Sequence, residues 1–282
     1  MNKMEPISGA IITYNEENNI KECIESLYDI CEEIIILDSF STDKTKEIAL
    51  SYPKVKFFQH EFDGHVEQKN RALQFCQNQW VISLDADERI SPKLKEEILE
   101  LKKNPEKMNQ YNGFKIPRLT YHMGSFIYHS GWYPQRRYRL FKKDFAIWVG
   151  ENPHDYIEIK GKGGKLKGDI IHYSFKDLSH QIDTINKFSS IVAFNRYYRN
   201  RTFSFWKCIY KPIIKFIEIY FFKLGFLDGF PGFTIAVASS FSTFLKNAKI
   251  YELHKQLIER PSNLRPDYKV QNHQSKSQHK KG

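Results

Sequence analysis

The chain has 282 residues, 41% of them hydrophobic, and its 43 Lys and Arg against 33 Asp and Glu give a net charge of +10. That length and apolar content support a full core and exclude an intrinsically disordered chain. Cys23, Cys31, Cys76 and Cys208 show no Cys-x-x-Cys spacing, which argues against zinc and against a disulfide framework and fits a reducing compartment.

The first hundred residues alternate strand and helix signals. An apolar β-rich run covers 7–14, and a helix with Asn15 as its cap is predicted after it, with Ile20, Ile24, Leu27 and Ile30 at helical spacing. Strands follow at 32–38, 54–60 and 80–85, separated by helices over 41–52 and 66–77. A helix over 91–103 opens with Ser91 as cap and Pro92 at its first position. Such alternation predicts an α/β fold with a mostly parallel sheet and helices on both faces. Ligands of these sheets bind beyond the carboxyl ends of the strands. Those ends carry Thr13-Tyr14-Asn15, Asp38-Ser39 and Asp85-Ala86-Asp87.

From about 110 to 175 the pattern changes to short strands with aromatic and basic loops, and from 177 to about 258 it is helical. A basic polar tail, predicted to be disordered, closes the chain over 261–282. The N-terminus shows no signal-peptide pattern. The longest uncharged run, 229–245, falls short of the roughly 20 apolar residues of a spanning helix.

The stretch SLDADERI holds Asp85, Asp87 and Glu88 within four positions directly after a buried strand. Carboxylates this close raise one another's pKa unless a cation sits among them. An Asp-x-Asp pair there can hold Mg²⁺ or Mn²⁺, and the metal a nucleotide diphosphate. The competing reading is a solvated acidic turn before a helix. Neither a P-loop nor a dinucleotide fingerprint is present. Asp38 reads either as a ligand contact or as a cap for the segment after it, with Asp43 the stronger cap.

AIITYNEE, IILDSFSTDKT, QKNRAL and ISLDADE, in this order, resemble a family 2 glycosyltransferase of the GT-A fold, a Rossmann-like architecture. FAIWVGENPHDYIEI is similar to the family's acceptor-side segment, and GDIIHYSF and KLGFLDGFPGF resemble the WaaE/KdtX-like group of lipopolysaccharide-core β-glucosyltransferases. The resemblance implies a GT-A domain over 1–175, with a nucleotide-sugar half (1–105) and an acceptor half (106–175), and a helical appendage over 176–260. It puts Thr13, Asn15, Glu16 and Asp38 around the nucleoside, Asp85 at the ribose or metal, and Asp87 at the metal.

Inverting transfer needs a carboxylate to take the acceptor hydroxyl's proton. Asp155 is the first candidate and Glu151 the second, each with the competing reading of a surface carboxylate pairing with lysine. The group's usual His-Glu is here His154-Asp155, one methylene shorter, and His154 would orient the base or a phosphate. His172 reads as a third metal ligand or as a satisfied core histidine. Arg136, Arg137 and Arg139 suit a phosphate of the donor or of the acceptor, or a solvated loop.

Lys207, Lys211, Lys215 and Glu218 form one stripe on an aromatic helix. Such a helix either packs inside the protein or lies at a membrane interface with its lysines toward the headgroups. The expected activity is metal-dependent transfer of a hexose, glucose from UDP-glucose, to a lipid-linked oligosaccharide of the lipopolysaccharide inner core. The expected place is the inner face of the cytoplasmic membrane, with the chain attached peripherally. A protein or polyprenyl-phosphate acceptor is the alternative within the enzyme class, and a non-enzymatic basic membrane binder the alternative outside it. Nucleic acid is not an expected partner, because strand-end carboxylates repel phosphates unless a metal sits among them.

Overall fold

The structure, a computed structural model, describes residues 4–151, 154–264 and 268, with the side chain of Glu151 outside this set. Most of the predicted tail therefore lies outside the described residues. The strands are β1 (Ile7–Thr13), β2 (Glu33–Asp38), β3 (Val55–Gln59), β4 (Trp80–Asp85), β5 (Glu88–Ile90), β6 (Gly113–His122), β7 (Ser125–Ile127), β8 (Gln135–Lys142), β9 (Ala146–Glu151), β10 (His154–Ile159), β11 (Gly163–Lys165) and β12 (Ile170–His172). The helices are α1 (Ile20–Leu27), α2 (Thr45–Leu50), α3 (His65–Phe75), α4 (Pro92–Lys103), α5 (Pro105–Asn109), α6 (Leu178–Tyr198), α7 (Phe205–Ile217) and α8 (Gly229–His254).

Two compact units divide the chain. One runs to Tyr128 and from Trp132 to Ser174; the other holds His129–Gly131 together with Phe175 onward. The first unit contains a sheet in the order β3-β2-β1-β4-β8-β6-β12-β5, with β7 and β11 also paired to β6, and a separate β9–β10 hairpin. β3, β2, β1 and β4 run parallel, whereas β8 is antiparallel to both β4 and β6.

The parallel strands are near-continuous apolar runs because both their faces are covered. Side chains alternate between those faces. Ile11, Ile34, Ile36 and Ile82 meet Ile24 and Leu27 of α1 and Leu94 and Ile98 of α4. Ala10, Ile35 and Val81 meet Leu73 of α3 and, from the hairpin, Trp148 and Ile157. Helices and hairpin thus fix the sheet from both sides and leave the carboxyl ends of the strands to form a site.

The predicted cap of α4 is in place. Ser91 Oγ accepts hydrogen bonds from the Leu94 amide (3.2 Å) and the Asp169 amide (3.1 Å). Asn15 does not cap α1. It takes a left-handed conformation (φ 55°), and α1 begins five residues later. Its side chain is engaged instead by the segment after β2, where Asn15 Oδ1 accepts from the Thr42 amide at 2.8 Å.

The second unit is not one continuous helical run. Asn200 (φ 54°) closes α6 in the left-handed region, and a π turn (Glu218–Phe222) and a 3₁₀ turn (Gly225–Asp228) separate α7 from α8. Lys249 on α8 latches α6 by reaching the Asn186 carbonyl oxygen (2.8 Å) and the hydroxyls of Ser189 (2.9 Å) and Ser190 (2.7 Å). The Asp228 side chain is only 3% exposed and accepts from the His129 amide (3.1 Å), His129 Nδ1 (3.1 Å) and Ser130 Oγ (2.7 Å). Among the described residues no single helix is long and apolar enough to cross a membrane.

Replacing Ser91 removes an N-cap and a turn acceptor together. Ser91→Ala should lower unfolding free energy by about 1–2 kcal/mol, measured by urea denaturation, with the fold retained.

Candidate active site

Three strand ends meet because the parallel register aligns them: Thr13 pairs with Asp38, and Ile12 with Asp85. Asp38 is fully buried and anchors the segment that leaves β2. It accepts from the Ser41 amide (2.9 Å) and hydroxyl and from Gln59 Nε2 (3.1 Å). Glu16 Oε2 accepts from Asn19 Nδ2 at 2.8 Å. The Thr13 hydroxyl is buried with no hydrogen-bond partner among the described residues.

The acidic turn after β4 resolves into separate roles. Glu88 is fully buried, and its Oε2 accepts from the Asp85 amide (3.0 Å), which closes the turn. Its Oε1 lies 2.9 Å from Arg139 Nη2 on β8. Both oxygens of Asp85 meet cations, Oδ1 with Lys69 Nζ at 2.8 Å and Oδ2 with Arg139 Nη2 at 3.2 Å. Burial alone would raise the Asp85 carboxyl, but Lys69 and Arg139 outweigh it and hold it well below the usual carboxylate range.

Lys69 joins the strand end to the hairpin. Its ammonium sits 2.8 Å from Asp155 Oδ2 as well as from Asp85, and 4.3 Å from the centre of the Trp148 ring. Burial pushes the Asp155 carboxyl up, but Lys69 brings it below its ordinary value. Arg137 Nη1 donates to the Asp155 carbonyl oxygen (3.0 Å), and Arg136 Nη1 to that of Leu166 (2.7 Å). Asn70 pairs twice with the Trp148 backbone, at 2.9 and 3.0 Å, docking β9 on α3.

His154 is exposed and pairs in register with Glu151, whose side chain lies outside the described residues. Gly150 (φ 113°) permits this tight return, since a Cβ there would meet the His154 carbonyl oxygen at 2.3 Å.

Asp87 turns away from this network, its Oδ2 3.2 Å from His172 Nε2. The other ring nitrogen of His172 is buried with no partner among the described residues. Asp87 and His172 are therefore a carboxylate and an imidazole suited to a divalent ion. Among the described residues no three acidic, His or Cys side chains gather around one point to complete such a site. Asp87 and His172 could supply two ligands, with a bound diphosphate supplying others.

The sequence suggests a divalent ion as the positive partner of the acidic cluster. Around Asp85 and Glu88 the structure also brings the cations Lys69 and Arg139. The available signal was the cluster's own need for counter-charge, together with Arg139 alternating with Arg137 on a strand and Lys69 beside Gln68 and Asn70 on a helix.

A sheet whose parallel strands end in an Asp-x-Asp turn and which continues into mixed strands, with a covering hairpin, is the GT-A architecture of glycosyltransferases. The family model described as glycosyl transferase family 2 matches residues 8–157. The lipopolysaccharide core biosynthesis glycosyltransferase LpsC of Rhizobium meliloti (strain 1021) is 31% identical over 88% of this chain and 93% of its own length. An uncharacterized glycosyltransferase of Rickettsia typhi (strain ATCC VR-144 / Wilmington) is 31% identical over 89% of this chain and 88% of its own. The crystal structure of S. aureus TarS 1–349 in complex with UDP aligns with a TM-score of 0.45 and 14% identity, covering 89% of this chain and 91% of that one. The chain belongs to glycosyl transferase family 2 and is a glycosyltransferase.

Lys69→Met would leave Asp85 and Asp155 facing each other without their shared cation. At neutral pH urea unfolding should show a loss of about 3–5 kcal/mol. Both carboxyls are depressed in the fold, so their contribution is present above the ordinary value of about 4 and fades as pH falls through the folded values. The difference between wild type and Lys69→Met should therefore shrink in acid.

Proposed function

We propose that this glycosyltransferase inverts configuration while moving a hexose, glucose from UDP-glucose, to a sugar of a membrane glycolipid, the lipopolysaccharide inner core. The observation that carries the reading is Lys69, which ties Asp85 at the strand end to Asp155 on the covering hairpin at 2.8 Å each. One buried ammonium thereby couples the donor end of the sheet to the candidate base. Support for the acceptor class comes from the likeness to the Rhizobium meliloti lipopolysaccharide core enzyme over nearly the whole chain.

In this reading the nucleoside lies against Thr13, Asn15, Glu16 and Asp38. The diphosphate faces Arg136 and Arg137, and Asp85 orients the ribose side through Lys69 and Arg139. Asp87 and His172 would hold Mg²⁺ or Mn²⁺, which offsets the charge that builds on the leaving diphosphate. The acceptor hydroxyl attacks the anomeric carbon, the bond from that carbon to the phosphate oxygen breaks, and UDP leaves. Asp155 takes the hydroxyl proton, with His154 beside it and Glu151 as the second candidate. The depressed Asp155 carboxyl is ionised at neutral pH, and it gives up some driving force for proton transfer in return. A glycolipid acceptor places the chain at the inner face of the cytoplasmic membrane.

Asp155→Asn should lower turnover by about 10²–10⁴-fold while UDP affinity, read by calorimetry, is kept. The same loss in Glu151→Gln alone would move the base to Glu151. Asp87→Ala should abolish Mn²⁺-dependent stabilisation by UDP in a thermal-shift assay, and retention of that stabilisation would remove Asp87 from the metal. A donor screen over UDP-, GDP- and ADP-sugars tests the hexose.

A further inference from the structure

We infer that the outward face of α7 and α8 is a membrane-inserting surface, held in the acyl layer by its aromatic and aliphatic side chains and not by its lysines. The inference rests on the proposed membrane acceptor and names how the chain reaches it.

α7 is turned inside out for a helix in water. Phe205 (61% exposed), Trp206 (71%), Ile213 (56%) and Ile214 (56%) face outward, and α7 has no fully buried residue. Its lysines are less exposed than these: Lys207, Lys211 and Lys215 are all partly buried, and Lys215 Nζ pairs with Glu218 Oε2 at 2.8 Å. A water-exposed amphipathic helix has the opposite arrangement. The partial burial of the lysines favours contact with the protein over the lipid headgroups that the sequence pattern suggests.

The same outward character continues past the turn. Phe221 and Phe222 are exposed at the break, and Phe230, Phe233, Val237, Phe241 and Phe244 recur along the outer side of α8. The inner side of α8 buries small and aliphatic residues, Gly232, Ile235 and Ala236. Together the segments Phe205–Phe222 and Gly225–His254, bent by 70°, meet the length and composition of a broken membrane segment.

Lipid is the occupant this chemistry fits. A stable protein interface carries about one hydrogen bond per 100–200 Å² and a polar rim. The exposed large side chains of this face are mostly aromatic and aliphatic, with Trp206 and Tyr210 adding polar tips. Exposed Lys223 at the break is paired with Glu218. The other exposed charges lie toward the ends of the face, with Arg199 and Arg201 before α7 and Glu252 and Lys255 at the end of α8, where headgroups would meet the basic ones.

Flotation of the full chain with vesicles tests this, using neutral phosphatidylcholine and phosphatidylcholine with an anionic lipid. Binding to neutral vesicles should persist at about 1 M salt, where screening falls to about 3 Å. Phe222→Asp and Phe230→Asp should each reduce the partition coefficient about tenfold or more. Lys207→Gln, Lys211→Gln and Lys215→Gln combined should leave it unchanged, with thermal melts confirming that each variant folds. Trp206 fluorescence should be quenched by bromine-labelled acyl chains, and the quenching should vanish in Trp206→Phe. Binding that needs anionic lipid and is lost in high salt would overturn the apolar anchor while leaving the membrane acceptor standing. Absence of flotation would overturn the anchor outright, and a dimer dissolved by the Asp variants would assign the face to a second copy. Transfer to a detergent-dispersed glycolipid acceptor, assayed separately, reports on the proposed function alone.

Discussion

A single buried ammonium organises the catalytic unit. Lys69 is 3% exposed and stands between two carboxylates, from β4 and β10, under an indole ring from β9. Removing a charge from water costs several kcal/mol unless partners compensate, and here two anions and a π-face do so. Neither carboxylate would be tolerated so close to the other without it. Lys69 thus ties the hairpin to the strand end across the reach of one side chain.

The neighbours of Lys69 in sequence extend the same logic. Gln68 reaches Ser39 Oγ (3.0 Å) and the His60 carbonyl oxygen (3.1 Å) beyond β2 and β3, and Asn70 holds the Trp148 backbone. Arg71 makes a two-pronged pair with Asp63 at 3.1 and 2.6 Å. Four consecutive side chains therefore leave α3 toward different elements. A shift of the helix by one residue would break all four attachments at once, so α3 has a single register in which the site assembles.

How much was legible follows from distance along the chain. Strand and helix alternation, and the Ser91-Pro92 start of α4, depend on residues within a few positions of one another, and the structure keeps them. The roles of Lys69 and Arg139 were not legible, because their carboxylate partners lie tens of residues away and no local pattern selects one cation among many. Asn15 has the chemistry of a cap, but a contact with Thr42 claimed its side chain. On α7 the periodicity showed a lysine stripe, yet a helical wheel is indifferent to which side the protein covers. The direction of that face emerged only from packing.

The helical unit also has a particular relation to the chain's linear order. It owns His129–Gly131, whose amide, imidazole and hydroxyl groups converge on Asp228 about a hundred residues later. The border between the two units is therefore not one point in the sequence. A gene cut near residue 175 would separate Asp228 from the three-residue segment it holds. Exchange of the helical unit between relatives by a single crossover would leave a buried carboxylate facing a foreign loop. Inheritance of the two parts is consequently linked, and the unit carrying the chemistry and the unit carrying the helices are expected to diverge together.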